Sequence, residues 1–318
     1  MDGPVAEYPQ NSKTHDLETV LSIKGLSKQY GKVRALDNLN LEVKKGDVFG
    51  ILGPNGSGKT TTLGIILSVI NQTSGQFEWF GEKANKDTRK TIGAILEHPI
   101  FYPYLTAVQN LKIVCDIKEV PYARVDEVLT QVGLDERKDT KFKTFSLGMK
   151  QRLSIASALL CNPTVMILDE PTNGLDPQGI AEIRELIIEI ANSGKTIIIA
   201  SHLLDEVQKV CSHFCVLQRG KLIYNGLVED VGKGSVSVEV KADHDDLQTV
   251  LEQSGLGTKV KRELDKYIMK MEGDHSAAEV NAYLFKQGIT AKHLLVQSKS
   301  LEKQFLEILA GNKEGGAQ

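Results

Sequence analysis

Gly53-Pro54-Asn55-Gly56-Ser57-Gly58-Lys59-Thr60, followed by Thr61, is the stretch on which the reading of this chain turns. Phe49-Gly50-Ile51-Leu52 precedes it and suits a short buried strand. Leu63, Ile66, Leu67 and Ile70 follow it at helical spacing. A glycine-rich turn therefore joins a strand to a helix N-terminus. The glycines let backbone N–H groups curl around an anion without Cβ clashes. The helix dipole adds positive potential at the same place. Lys59 reaches the β- and γ-phosphates of a nucleotide, and the Thr60 hydroxyl is placed to ligate Mg²⁺. The run is a phosphate-binding loop. It says that a nucleotide binds, and not what the nucleotide is used for.

The 318 residues suffice for about two domains. Hydrophobic residues make up 41% and charged residues 25%, the balance of a globular chain. Net charge is -3 and no basic run stands out, so nucleic acid is not an expected partner. No apolar stretch approaches the roughly 18 residues needed to cross a bilayer. The polar opening, residues 1–20, lacks a signal-peptide core and is expected to be a disordered tail. Cys115, Cys161, Cys211 and Cys215 match no zinc spacing and read as packing thiols.

Residues 21–49 look β-rich, with Leu39, Leu41 and Val43 alternating. Residues 99–162 read as a mainly helical subdomain, through Val125, Val128, Leu129 and Val132 and then Leu153 to Leu160. Val165-Met166-Ile167-Leu168 and Thr196 to Ala200 are continuously apolar, as parallel strands covered on both faces are. The helix between them carries Ile180, Ile183, Ile187 and Ile190, with Gly194 just past its end. The prediction is an α/β fold: a P-loop NTPase cassette with a mixed parallel sheet, spanning residues 21–230. A linker is expected at Gly232-Lys233-Gly234. Beyond it, residues 235–310 follow a βαββαβ order, a small α+β, ferredoxin-like module. An amphipathic helix from Leu301 to Leu309 closes it.

Asp169 and Glu170 directly follow an apolar strand. A carboxylate there can hold Mg²⁺ opposite Thr60, and an adjacent one can polarise the attacking water. Asp169 is accordingly read as the metal group and Glu170 as the general base.

With these parts in place the chain resembles the ATP-binding cassette ATPases of ABC transporters. Phe145-Ser146-Leu147-Gly148-Met149-Lys150-Gln151-Arg152 is similar to their signature motif, in the form found in drug and antibiotic exporters. The resemblance implies that Ser146 and the Gly148 N–H contact the γ-phosphate bound to an opposite subunit. The departure is Met149, where many members carry Gln. Tyr30 matches the aromatic residue that stacks on adenine. Asn173-Gly174-Leu175-Asp176 matches the loop that crosses to the partner's site, with Asp176 coupling the two sites. His202, at a strand end, matches the histidine on the γ-phosphate. Glu97 stands where the family usually has a Gln that ligates Mg²⁺; a glutamate there resembles lantibiotic-immunity and bacitracin-type exporters. The residues after 235 resemble, less specifically, the appendage of ABC-2-type exporter ATPases.

The resemblance implies an ATPase that uses ATP and Mg²⁺ and pairs head to tail with a second ATPase subunit, itself or a paralogue. It further implies an integral membrane permease as partner and a cytoplasmic position on the inner face of the membrane. Phe101, Tyr102 and Tyr104 are candidate contacts to that permease. An importer ATPase and a soluble cassette acting on ribosomes or nucleic acid are the alternative readings.

Overall fold

The computed structural model describes residues 18–85, 88, 90–96, 100–233, 236–272 and 275–298. The chain opens with a hairpin of β1 (Thr19–Tyr30) and β2 (Val33–Lys44), then β3 (Val48–Leu52) and α1 (Lys59–Ile66). β4 (Ser74–Trp79), β5 (Glu82–Lys83) and β6 (Ile92–Ile95) follow. The helical region holds α2 (Ala107–Lys118), α3 (Ala123–Gln131) and α4 (Leu147–Leu159). Next come β7 (Val165–Asp169), α5 (Pro177–Asn192), β8 (Thr196–Ser201), α6 (Leu204–Val210), β9 (His213–Gln218) and β10 (Lys221–Leu227). After α7 (Val228–Lys233) the chain forms β11 (Val236–Ala242), α8 (Leu247–Gln253), β12 (Gly257–Glu263), β13 (Lys266–Met271), α9 (Ala277–Lys286) and β14 (Ala291–Ser298).

Six strands form the central sheet in the order β10-β9-β3-β8-β7-β6. All neighbours run parallel except β10, which returns antiparallel to β9. The continuous apolar runs explain this sheet, because both of its faces are covered. Met166, Leu168, Ile197, Ile199, Phe214 and Val216 pack with the helical region and α5. Ile167, Ile198, Ala200, Cys215 and Leu217 pack on the other face with α1 and a four-stranded sheet of order β2-β1-β4-β5. The sequence alternates between the two cores residue by residue, as a pleated strand requires. Helix α1 thus lies between two sheets. Its C-terminal end is tied by the buried Trp79 indole, whose Nε1–H donates to the Ile66 carbonyl at 2.9 Å. That bond satisfies one of the carbonyls a helix end leaves over.

Helix ends follow their local chemistry. Thr106 and Gln109 form a reciprocal capping box at α2. Asp176 caps α5 ahead of Pro177, and Gly194 adopts φ +89 just beyond its end. Between β6 and α4 the backbones approach closely: a Cβ on Gly93 would lie 2.5 Å from the Ala158 carbonyl oxygen. Gly93→Ala is therefore expected to cost about 1–3 kcal/mol. A chemical-denaturation midpoint equal to that of the parent would refute the close packing.

Residues 236–298 build a separate four-stranded antiparallel sheet of order β12-β13-β11-β14, backed by α8 and α9. Its core is its own: Val238, Val240, Leu247, Leu251, Met269, Val280 and Leu284. This is the ferredoxin-like order that two interleaved βαβ units produce.

Four expectations need correction. Thr19 and Val20 belong to β1, because Val20 is buried in the hairpin's core, so the expected tail ends earlier; residues 1–17 lie outside the described residues. Ile70 falls beyond α1: the Val69 and Ile70 N–H groups both turn back to the Gly64 carbonyl. Helix α4 begins at Leu147, ahead of the Leu153 to Leu160 stretch that the apolar pattern marks, since the Ser146 side chain caps it. Gly232 and Lys233, expected in a linker, are the last two residues of α7, and Gly234 lies outside the described residues. Glu97 and the expected helix Leu301 to Leu309 lie outside the described residues.

The cysteines are free thiols. Cys211 and Cys215, four apart in sequence, fall into the cores on opposite faces of the sheet. Burial pushes both thiols far up and keeps them uncharged.

Candidate active site

Strand β3 lies between β8 and β9, although β8 and β9 are consecutive strands in the second half of the cassette. This is where strand order switches, and ligands bind α/β sheets outside the strands' C-terminal ends at such a point. Residues 53–58 leave β3 there and lead into α1. Gly53, Ser57, Gly58 and Lys59 are buried, whereas Pro54, Asn55, Gly56 and Thr60 are exposed and Thr61 half-buried. Gly58 caps the helix with φ +110 and supplies no side chain to its first N–H groups. Those N–H groups are left for an anion. The loop is braced from behind: the Gly220 N–H donates to the Ser57 carbonyl at 2.9 Å, and the Gly53 N–H to that of Ser201 at 3.2 Å.

The side chains expected at the site converge. Lys59 Nζ, on a side chain 6% exposed, curls across the loop to the Gly53 carbonyl at 2.8 Å. It also lies 3.3 Å from Glu170 Oε1. The other carboxylate oxygen of Glu170, Oε2, is 2.8 Å from His202 Nδ1. Thr60 Oγ1 donates to Asp169 Oδ2 at 3.0 Å, joining the start of α1 to the end of β7. Five residues from two neighbouring strand ends and one helix thus gather beside the loop.

Glu170 sits where β7 leaves the sheet. Its φ is +48, an uncommon conformation for a residue with a side chain. Its N–H donates to the Ala200 carbonyl at 2.9 Å, and its own carbonyl accepts from the Asn173 N–H at 3.1 Å. The backbone is held at both ends, so the carboxylate is aimed across at His202, whose side chain is 37% exposed.

The remaining described candidates take part in none of these bonds. Tyr30 ends β1, 46% exposed as a residue, with the Lys28 ammonium 4.7 Å from the ring centroid. It pairs with Val33 at the tip of the hairpin whose Leu36 adjoins Gly58. Ser146 is exposed at the start of α4, its oxygen accepting from the Met149 N–H at 3.2 Å. That leaves its hydroxyl hydrogen to donate outward, next to Gly148 in the first turn. Asp176 acts locally. Its Oδ1 accepts from the Gly179 N–H at 2.9 Å and fixes the 173–176 loop.

Sequence reasoning missed Thr172, Ser201 and Glu206. The Thr172 hydroxyl donates to Glu206 Oε1, and Ser201 Oγ donates to Glu206 Oε2 at 3.2 Å. The available signal was an acidic residue in the first turn of the helix after His202.

Among the described residues no group of three or more His, Cys, Asp or Glu is arranged as a metal site. A divalent cation here meets one hydroxyl and one carboxylate, Thr60 and Asp169. Hard oxygen donors of this kind suit Mg²⁺.

Comparison with known proteins agrees with the geometry. The ABC transporter family model matches residues 36–173. The bacitracin transport ATP-binding protein BcrA of Bacillus licheniformis is 38% identical over 312 residues, 94% of this chain and 100% of that one. The lantibiotic transport ATP-binding protein SrtF of Streptococcus pyogenes is 41% identical over 204 residues, 64% of this chain and 89% of its own. Among solved structures, cbiO1 from Clostridium perfringens superposes with a TM-score of 0.63 at 31% identity, covering 67% of this chain and 90% of that one. The cassette MJ0796, in a dimeric post-hydrolysis state bound to ADP and Pi, gives 0.58 at 26% identity, covering 65% and 98%. A phosphate loop at the switch point, paired carboxylates at the end of β7 and near full-length similarity place this chain among the ATP-binding ATPase proteins of ABC transporters.

Proposed function

We propose that this chain is the ATP-hydrolysing subunit of an ABC exporter that moves an antibiotic or peptide through a separate membrane permease. The supporting observation is the convergence of Lys59, Glu170 and His202 beside the phosphate loop, at 3.3 and 2.8 Å. The similarity to bacitracin and lantibiotic transport proteins points the cargo class in the same direction.

In this reading the phosphate loop, Gly53 to Thr61, cradles the phosphates through backbone N–H groups. Lys59 carries charge to the β- and γ-phosphates, and Tyr30 offers its π face to the base. Thr60, Asp169 and Glu97 hold Mg²⁺, which when bound neutralises the phosphate oxygens. Glu170 takes the proton from the attacking water, and His202 holds the γ-phosphate. Such chemistry is mostly positioning and electrostatics.

In this proposal Ser146 and the Gly148 N–H, at the start of α4, reach the nucleotide of a second subunit. Asp176, by capping α5, gives the 173–176 loop the shape it presents to that subunit. Tyr102 and Tyr104, exposed with ring centroids 5.8 Å apart, are proposed to meet the permease. Phe101 packs against Phe142 at 5.3 Å and serves the fold. No helix among the described residues is long and apolar enough to span a membrane, so the permease supplies the spans.

The test is affinity purification of the tagged full chain from its native cells in mild detergent. A multi-span membrane protein is expected in stoichiometric amount. Recovery with ribosomes or DNA instead would overturn the exporter reading.

A further inference from the structure

The last paired residues of β7 and β8 are Asp169 and Ala200. Beyond them the two chains diverge, one into Glu170 to Asn173 and the other into His202 and Leu203. Both catalytic groups lie beyond the last pair, where one backbone bond, from the Glu170 N–H to the Ala200 carbonyl at 2.9 Å, still crosses between the segments and leaves the side chains to be aimed by other contacts. Glu206, in the first turn of α6, rejoins them. Its Oε1 accepts the Thr172 hydroxyl, two residues after Glu170. Its Oε2 accepts the Ser201 hydroxyl at 3.2 Å, one residue before His202. Ser201 is oriented for this by the Leu203 N–H, which donates to Oγ at 3.0 Å. Thr172 and Ser201 are both buried, so water does not substitute for either bond.

We propose that Glu206 is a positioning residue, a carboxylate clasp that fixes the segment bearing Glu170 against the segment bearing His202. The proposal rests on the catalytic reading of those two residues given above. The clasp's own bonds end on the Thr172 and Ser201 hydroxyls. The phosphate loop touches Ser201 through a different atom, the backbone carbonyl that accepts from the Gly53 N–H, and that bond does not use the clasp. Releasing the clasp therefore alters where the base and the histidine sit and leaves nucleotide affinity alone. Hydrolysis is sensitive to such displacement, since about 1 Å of misplacement costs on the order of a hundredfold in rate.

The experiment uses the full-length chain, alone or copurified with its membrane partner, whichever form turns over. ATPase kinetics, nucleotide affinity and thermal midpoint are measured for Glu206→Ala, Thr172→Val and Thr172→Ser. The first two are expected to lose kcat by about tenfold or more, with affinity within about twofold of the parent. Thr172→Ser keeps the hydroxyl and is expected to keep kcat. The double variant Glu206→Ala with Thr172→Val should be no worse than the poorer single, because both remove one interaction. Parental kcat in Thr172→Val, equal losses in Thr172→Val and Thr172→Ser, or a parallel loss of affinity would each overturn the clasp. Should Glu206→Ala fail to fold, the Thr172 pair decides alone. Glu170→Gln is assayed alongside. If it is inactive while Thr172→Val keeps parental kcat, the clasp falls and the general base stands. If Glu170→Gln itself keeps full turnover, the catalytic reading falls.

Discussion

Glu170→Gln is expected to lower ATP turnover by at least about a hundredfold while nucleotide still binds. The amide matches the carboxylate in shape, so the residue can keep its φ of +48 and the backbone bonds to Ala200 and Asn173. What changes is chemistry. An amide oxygen is a poor proton acceptor, and one of its two ends now donates. The His202 contact at 2.8 Å and the Lys59 contact at 3.3 Å become contacts to a neutral group. Binding depends on the phosphate loop and survives. On the proposed pairing with a second subunit, the variant should retain ATP in a paired, slowly dissociating form, measurable by size exclusion with labelled nucleotide. Parental turnover would remove Glu170 from the role of general base.

Lys59→Ala should behave in the opposite way and fail at binding. The side chain is nearly buried, and its ammonium spans the Gly53 carbonyl and the Glu170 carboxylate. Truncation removes the charge that meets the phosphates and leaves both partners without it. A hundredfold loss of affinity, about 2.7 kcal/mol, is the expected scale for a charge-assisted contact of this kind. Titration with a fluorescent nucleotide reads it directly, and circular dichroism verifies that the variant folds. Unaltered affinity would refute the role of Lys59 in phosphate binding. The two variants together separate binding from hydrolysis, one group for each.

Much of the cassette was readable because its strands are apolar without interruption. Val165 to Leu168 and Thr196 to Ala200 had few options other than the middle of a covered sheet, and the chemistry follows at their ends. The phosphate loop was readable for a related reason, since its glycines and Lys59 answer to a ligand whose shape is known. Harder to read was the start of α4, where Gly148 suggests a later beginning. The Ser146 cap outweighs the weak propensity of one glycine, a matter of about 1 kcal/mol on each side. Asp176 was read for its place in a loop, and its bond to the Gly179 N–H, three residues on, was overlooked. Glu206 was illegible for a deeper reason. Its partner Thr172 lies 34 residues away, and neither Thr172 nor Ser201 advertises a role until the fold brings them together. Local pattern reveals which segment is a strand. It does not reveal which side chains meet where strands end.

The Trp79 bond to the end of α1 has a practical side. The chain contains one tryptophan. Its indole is buried and attached to the last carbonyl of a helix whose first residue is Lys59. That helix is only about 12 Å long. All indole emission from the molecule therefore originates one short helix away from the phosphates, with no second fluorophore of its kind to dilute it. The protein carries its own optical gauge, and any change around α1 as nucleotide arrives and leaves can be followed in real time without attaching a label.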